Sequence, residues 1–246
     1  LIYYLLTSWK EKGMLTGKEY LVKTIVTTEI LPLMAEKFNV EIYDVLTGFK
    51  YIADIIAKNE GEKTFIGGGE ESYGYLMGEF IRDKDAIMSC ALIAEAAAWA
   101  KSKGKSVFEM LIEIYKEFGL FYERLISITK KGKSGADEIE QIMTRFRKNP
   151  PAEINGSKLV CIKDYLTQKS LDIKTGKEKP IELPKSNVLQ FILADDSILS
   201  IRPSGTEPKI KIYAGTRDEF DNVADFEKTV KKLDDRITAM LDDLKL

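Results

Sequence analysis

The sequence predicts an α/β protein with an αβα-layered part up to about residue 150 and a smaller α+β part over residues 151–246. Three observations lead there. Short β-branched or apolar runs alternate with segments of helical period as far as Arg147, the rhythm of strands and helices packed in layers. Asn149-Pro150-Pro151 then breaks the periodicity, since proline neither donates to a ladder nor continues a helix. Beyond it, strands dominate up to one closing helix, and the 246 residues exceed a common single domain of about 100–150 residues.

The elements follow in order. Residues 1–12 read as a helix stopped by Gly13. Its opening, Leu1-Ile2-Tyr3-Tyr4-Leu5-Leu6, carries neither methionine nor cap, like a helix entered halfway. That reads as a piece of a longer protein, with a processed terminus as the alternative. A strand at 20–27 is followed by a helix at 29–38, a short strand at 40–43, the segment Thr47-Gly48-Phe49-Lys50 and a helix through Ile56. Residues 63–66 read as a buried strand running into glycines. An alanine-rich helix spans 83–101 and a second helix 107–118, stopped by Gly104 and Gly119. A strand at 125–129 and an amphipathic helix at 136–147 complete the first part. The second holds strands at 159–162, 188–193, 198–201 and 209–213, a helix at 220–241, and an exposed excursion at 169–185 rich in Lys, Gly and Pro.

Composition removes several classes of function. Lys and Arg total 37 against 39 Asp and Glu, a net charge of −2 with no basic block, so nucleic acid is not an expected partner. No apolar stretch has membrane-spanning length and no secretory signal is evident, so no membrane partner is expected either. Cys90 and Cys161 sit far apart in apolar runs, which predicts buried, reduced thiols and a cytoplasmic location. The absence of histidine excludes Ser-His-Asp and Cys-His catalysis and histidine metal ligands. Any chemistry rests on carboxylates, lysine, hydroxyls or a bound metal.

Arg202-Pro203-Ser204-Gly205-Thr206-Glu207-Pro208-Lys209 gathers every kind of phosphate-binding group into one turn. Arg202 offers a planar fork, Ser204 and Thr206 offer hydroxyls, and Gly205 lets successive amides turn inward. Period-two alternation then puts Lys209 and Lys211 on one strand face. The alternative is a surface turn before an edge strand whose lysines discourage aggregation.

A second group is Gly67-Gly68-Gly69-Glu70-Glu71-Ser72-Tyr73-Gly74, at the end of a buried strand where open α/β sheets place ligands. The glycines allow a ligand close approach. On an extended backbone, Glu70 and Ser72 face one pocket and suit vicinal sugar hydroxyls, while Glu71 points elsewhere. In Arg82-Asp83-Lys84-Asp85, Asp83 reads as a helix cap and Lys84 as a group able to meet an anion. A glycine-rich turn with solvated glutamates is the alternative; so is a paired-carboxylate glycosidase using Glu70 or Glu71 with Asp85, which leaves the phosphate loop unexplained.

With RPSGTEPK, GGGEESYGY, TGFK and RDKDAI in one chain, the sequence resembles the C-terminal half of an α-D-phosphohexomutase, nearest the bacterial phosphoglucomutase branch. The resemblance covers essentially the whole chain. It implies the third domain of that fold over 17–150 and a TATA-binding-protein-like fourth domain over 151–246, with 1–16 as the last helix of the second. It implies a hexose phosphate as substrate, interconverted between its 1- and 6-phosphates through an enzyme phosphoserine and a bisphosphorylated intermediate. Mg²⁺ and glucose 1,6-bisphosphate then belong to the full-length enzyme; neither the serine motif nor the aspartate-rich metal loop occurs here, so this chain is expected to hold no catalytic residue and no metal, and to depend on the missing N-terminal domains as partners.

By the same resemblance Thr47 and Gly48 lie in the sugar-contacting loop, Glu70 and Ser72 bind sugar hydroxyls, and Lys84 reaches the ligand. Arg202, Ser204, Gly205 and Thr206 hold the phosphate that is not transferred, and Lys211 matches a basic position in the next strand. The mannose and glucosamine branches usually read Gly-Glu-x-Ser-Gly-His at the sugar loop. Tyr73-Gly74 stands there instead, which favours the glucose branch. A phosphomannomutase, a phosphopentomutase and a non-catalytic sugar-phosphate-binding module are the competing readings.

Overall fold

The computed structural model describes residues 1–130, 132–205 and 207–245. The chain divides into two compact units, Leu1–Gly119 and Leu120–Leu246.

The first unit contains α1 (Ile2–Glu11), β1 (Glu19–Thr24), α2 (Ile30–Phe38), β2 (Glu41–Val45), α3 (Phe49–Lys58), β3 (Thr64–Glu70), β4 (Gly74–Met77), α4 (Ala86–Ser102) and α5 (Val107–Phe118). Its sheet runs β2-β1-β3-β4, with β1 parallel to β2 and β3 and β4 antiparallel to β3. Every residue of β1 is buried, as expected for a parallel strand covered on both faces. Tyr20 and Val22 pack with Phe49, Ile52 and Ile56 of α3 and with Phe65 and Leu76. Because β2 and β3 leave β1 in opposite directions, the carboxyl end of β1 is the topological switch point where such sheets bind ligands.

Local chemistry sets the helix ends. Asp85 caps α4 by accepting from the Met88 amide at 2.9 Å. Ser106 and Glu109 form a reciprocal capping box on α5, and Gly119 stops it at φ 89°.

The glycines at 67–69 have a different use from the one expected. They lie within β3, which runs to Glu70, and the space beside them is filled by neighbouring strands. A Cβ on Gly68 would sit 2.1 Å from the Val22 carbonyl oxygen, and one on Gly69 2.3 Å from that of Gly74. They admit adjacent backbone and leave no room there for a ligand. The hairpin to β4 was not evident from the sequence, because β4 is only four residues long and opens on a glycine.

The second unit contains β5 (Leu120–Thr129), α6 (Gly132–Lys148), β6 (Glu153–Ile154), β7 (Ser157–Asp164), β8 (Lys169–Asp172), β9 (Glu178–Pro180), β10 (Leu189–Leu193), β11 (Ile198–Pro203), β12 (Lys209–Asp218) and α7 (Phe226–Leu244). The antiparallel sheet runs β5-β12-β11-β10-β7-β8-β9, with β6 paired to β7. Ile139, Met143 and Phe146 of α6 and Ile237, Met240 and Leu244 of α7 pack with Phe191, Leu199, Ile201, Ile210 and Ile212 of the sheet. Residues 169–185 include the exposed hairpin β8–β9.

The contact boundary falls at Gly119, ahead of Asn149-Pro150-Pro151. The cause is β5, which starts at Leu120 and pairs with β12 from Leu120↔Asp218 to Thr129↔Lys209. That pairing ties β5 and the following α6 to the second unit, and no local feature of residues 120–148 announces it. The thiols also differ from expectation: Cys90 is exposed and Cys161 half-buried. Cys90 was expected to be buried because it sits in the apolar run of α4, but that run presents Ala86, Ile87 and Cys90 outward.

Candidate functional site

In the first unit, the residues singled out at the carboxyl end of the sheet gather around Glu70. Gly48, at φ 119°, immediately precedes α3, and its amide donates to Glu70 Oε2 at 3.2 Å. Few residues other than glycine tolerate that backbone angle, so the turn that aims this amide depends on Gly48. Thr47 is half-buried beside it. Lys84 Nζ lies 2.9 Å from Asp83 Oδ1 and 5.1 Å from the centre of the Phe49 ring. The hydrogen bond to Asp83 outweighs the opposing effect of burial and, with the nearby charges of Asp83 and Glu70, holds the Lys84 ammonium above its ordinary pKa. Glu70, bonded by the Gly48 amide, and Lys84, paired with Asp83, thus lie close together at this end of the sheet, a carboxylate and an ammonium suited to hydroxyl and anionic groups on one ligand.

Ser72 is not held in that cluster. An extended backbone was expected through it, but residues 71–73 form the turn between β3 and β4, with Tyr73 at φ 63° and fully exposed. The Ser72 side chain is exposed and its hydroxyl bonds to no other described residue. Glu71 accepts from Thr24 Oγ1 at 3.0 Å and Thr27 Oγ1 at 3.3 Å, away from Glu70.

Sequence reasoning missed Lys23. It is fully buried at the end of β1, with Nζ 2.9 Å from Glu29 Oε1 and 3.0 Å from Asp44 Oδ1. Its ammonium also donates to the carbonyl oxygens of Thr24 and Thr27, each at 3.3 Å. The loop after β1 is thus wound around a cation at the switch point. A lone lysine closing the apolar run Tyr20-Leu21-Val22 was the available signal.

In the second unit the loop between β11 and β12 carries the cationic group. Arg202 faces Lys211 across the ladder. Ile210 and Ile212 point into the core, so Lys209 and Lys211 share the opposite face. Lys209 Nζ is paired with Glu207 at 2.9 Å, and Arg202 and Lys211 face each other across the ladder at the base of the loop. The Ser204 amide donates to the Lys209 carbonyl oxygen at 2.7 Å, and the Lys130 amide to that of Pro208 at 2.9 Å, fixing both sides of the loop. Gly205 was expected to supply an unusual turn angle; its φ is not positive, and a Cβ there would meet nothing within 4 Å. What it supplies is an open, bare stretch of backbone. Thr206 lies outside the described residues.

Among the described residues no group of three or more His, Cys, Asp or Glu is placed to hold a metal ion. Glu29 and Asp44, the carboxylates at the switch point, are engaged by Lys23. No helix among the described residues is long and apolar enough to cross a membrane.

Residues 1–118 match the phosphoglucomutase/phosphomannomutase alpha/beta/alpha domain III, and residues 136–233 match the C-terminal domain of the same family. The phosphoglucomutase of Staphylococcus aureus strain MRSA252 is 42% identical over 205 residues, covering 83% of this chain and 37% of that protein. The strain N315 phosphoglucomutase is 41% identical over the same shares. The chain thus spans little more than a third of the length of these relatives. In fold it is similar to the Paramecium phosphoglucomutase parafusin, with a TM-score of 0.60 at 18% identity over 97% of this chain and 41% of that one. A phosphoglucomutase/phosphomannomutase family protein of Burkholderia thailandensis gives a TM-score of 0.56 at 12% identity over 99% of this chain and 41% of that one. Matched along nearly its whole length by two successive domains of one enzyme, the chain belongs to the phosphoglucomutase/phosphomannomutase family, of which it carries domain III and the C-terminal domain.

Proposed function

We propose that this chain is the sugar- and phosphate-recognition half of a cytoplasmic phosphoglucomutase that interconverts glucose 1-phosphate and glucose 6-phosphate. The observation that carries the reading is that Glu70, bonded by the Gly48 amide, and Lys84 meet over Gly74 at the carboxyl end of the sheet. Glu70 and Ser72 take sugar hydroxyls, with Thr47 and Gly48 bordering the ring and Lys84 meeting a phosphate. Arg202, Ser204, Gly205, Thr206 and Lys211 hold the phosphate that is not transferred.

Such gripping supplies orientation, and orientation carries a large part of the barrier in phosphoryl transfer, where the protein forms few bonds of its own. The transferring phosphoserine and the Mg²⁺ belong, on this reading, to the domains that precede domain III in the full-length enzyme, and glucose 1,6-bisphosphate is the intermediate that turns over between half-reactions. As domains of that enzyme we assign 1–16 to the end of domain II, 17–150 to domain III and 151–246 to domain IV, bounds that differ from the family matches over 1–118 and 136–233 and from the division at Gly119.

The test is calorimetric titration of the chain with glucose 1-phosphate, mannose 1-phosphate, ribose 1-phosphate and inorganic phosphate. Tighter binding of glucose 1-phosphate than of the other three is expected. Equal affinity for all four would remove sugar recognition from this half. Mutase turnover by the chain alone with Mg²⁺ and glucose 1,6-bisphosphate would overturn the division of labour.

A further inference from the structure

Gly74 opens β4 directly opposite Glu70 on β3. Residues facing each other across an antiparallel pair hold their Cβ atoms only about 4.5–5.5 Å apart, so side chains there compete for the same space. At this pair the space is used by residues other than 74. A Cβ on Gly74 would lie 2.8 Å from Glu70 Cγ, 3.1 Å from Glu70 Oε1 and 2.7 Å from Lys84 Cδ. Glu70 and Lys84 therefore pass over one bare Cα, arriving from different segments of chain.

The backbone gives no other reason for glycine at this position. Gly74 is absent from the residues of positive φ, unlike Gly48 at 119°. Space, not conformation, is what it provides.

Both arriving side chains are fixed from a second direction. Glu70 Oε2 accepts from the Gly48 amide at 3.2 Å. The Asp85 amide donates to the Tyr75 carbonyl oxygen at 3.0 Å, which moors the segment bearing Lys84 alongside β4. The Phe49 ring lies 5.1 Å below the ammonium and is itself part of the core with Ile52 and Ile56. A displaced Glu70 or Lys84 thus gives up a specific contact.

We propose that Gly74 is a positioning residue for sugar-phosphate recognition: its missing side chain lets the Glu70 carboxylate and the Lys84 ammonium converge on one ligand, and any side chain there drives them apart. The inference rests on the function proposed above and names a residue that touches no ligand. It also gives Gly74 a purpose that the turn before it, closed by the left-handed Tyr73, does not require.

The test uses Gly74→Ala in the full chain. Its methyl group meets movable side-chain atoms, so the variant is expected to fold with an unfolding midpoint near that of the parent. Its affinity for glucose 1-phosphate is expected to fall roughly tenfold, equivalent to about 1.4 kcal/mol. Added to Glu70→Ala/Lys84→Ala, the same change is expected to have no further effect, since the groups it displaces are gone. The amide resonance of Gly48, which reports its bond to Glu70 without any ligand, is expected to shift in Gly74→Ala.

Affinity equal to the parent's, or a loss that persists in full in the Glu70→Ala/Lys84→Ala background, would overturn the proposal. So would an unmoved Gly48 resonance. Should the parent bind no glucose 1-phosphate, the proposed function fails, and the Gly48 resonance still decides whether Gly74 positions Glu70. If Gly74→Ala does not fold, folding restored in the triple variant upholds the overlap, and continued unfolding overturns it.

Discussion

The Glu70 carboxylate accepts a hydrogen bond from the Gly48 amide at 3.2 Å, joining the end of β3 to the start of α3. One carboxylate thus fixes the loop that, on the proposed function, borders the sugar, and on the same reading its remaining oxygen meets the ligand. Glu70→Ala removes both roles, whereas Glu70→Gln keeps an oxygen acceptor for Gly48 and loses the charge. A charge-assisted hydrogen bond contributes about 1.5–3 kcal/mol, so Glu70→Ala is expected to weaken glucose 1-phosphate binding by roughly tenfold or more. Glu70→Gln should lose less. Calorimetric titration checks the order, and equal losses in the two variants would mean that the bond to Gly48 has no part in binding.

Arg202 and Lys211 face each other across β11 and β12 at the base of the loop. Arg202→Ala is expected to cut the affinity for both glucose 1-phosphate and inorganic phosphate by roughly a hundredfold, the equivalent of a bidentate pair. Arg202→Lys should recover only a fraction, because an ammonium is a point charge without the planar fork. Titration at two salt concentrations separates this from general charge. If Arg202→Lys restores full affinity, net positive charge rather than fork geometry holds the phosphate.

Glu19 gives a pH signature independent of any ligand. Its carboxylate is 5% exposed and accepts from the Thr16 and Gly17 amides at 2.8 and 2.9 Å and from Thr16 Oγ1 at 2.7 Å. Burial alone would raise its pKa; the hydrogen bonds outweigh burial and hold it below its ordinary value. A carboxyl depressed in the folded state adds stability above its unfolded pKa of about 4.3, and that stability is lost as pH falls through the folded value. Urea unfolding of the chain between about pH 5 and pH 3 should therefore show a decline that is shallower in Glu19→Gln. Parallel curves for the two proteins would show that Glu19 titrates alike in both states.

How legible the molecule was depended on the range of the interactions involved. Local periodicity sufficed for α5, whose Ser106 and Glu109 cap it from within, and for the strand that turns Ile210 and Ile212 inward and Lys209 and Lys211 outward. It failed for β5, because pairing from Leu120↔Asp218 to Thr129↔Lys209 joins residues about ninety positions apart. The motif around Glu70 was visible as composition, yet its glycines were assigned to a ligand when they admit the backbones of Val22 and Gly74. Ser72 was placed on a strand because nothing in Glu71-Ser72-Tyr73 signals that a tyrosine takes the left-handed angle. Lys23 went unnoticed for a related reason: a single lysine in an apolar run has meaning only once Glu29 and Asp44 are seen to close around it.

That enclosure makes an asymmetric prediction about stability. The Lys23 side chain is 0% exposed, while those of Glu29 and Asp44 are 41% and 47% exposed. Lys23→Met removes a buried cation, fills the space with an apolar chain of similar length, and leaves two carboxylates that water can reach. Glu29→Gln/Asp44→Asn leaves the ammonium buried with neutral acceptors, and stranding a buried charge costs about 3–5 kcal/mol. The double variant is therefore expected to be the less stable, and Lys23→Met to cost about 1–2 kcal/mol, within the ordinary range for a single substitution. Urea unfolding monitored by circular dichroism gives both values. If Lys23→Met is the more damaging of the two, the carboxylates are not what holds the ammonium, and the carbonyl oxygens of Thr24 and Thr27, which neither variant removes, carry it instead.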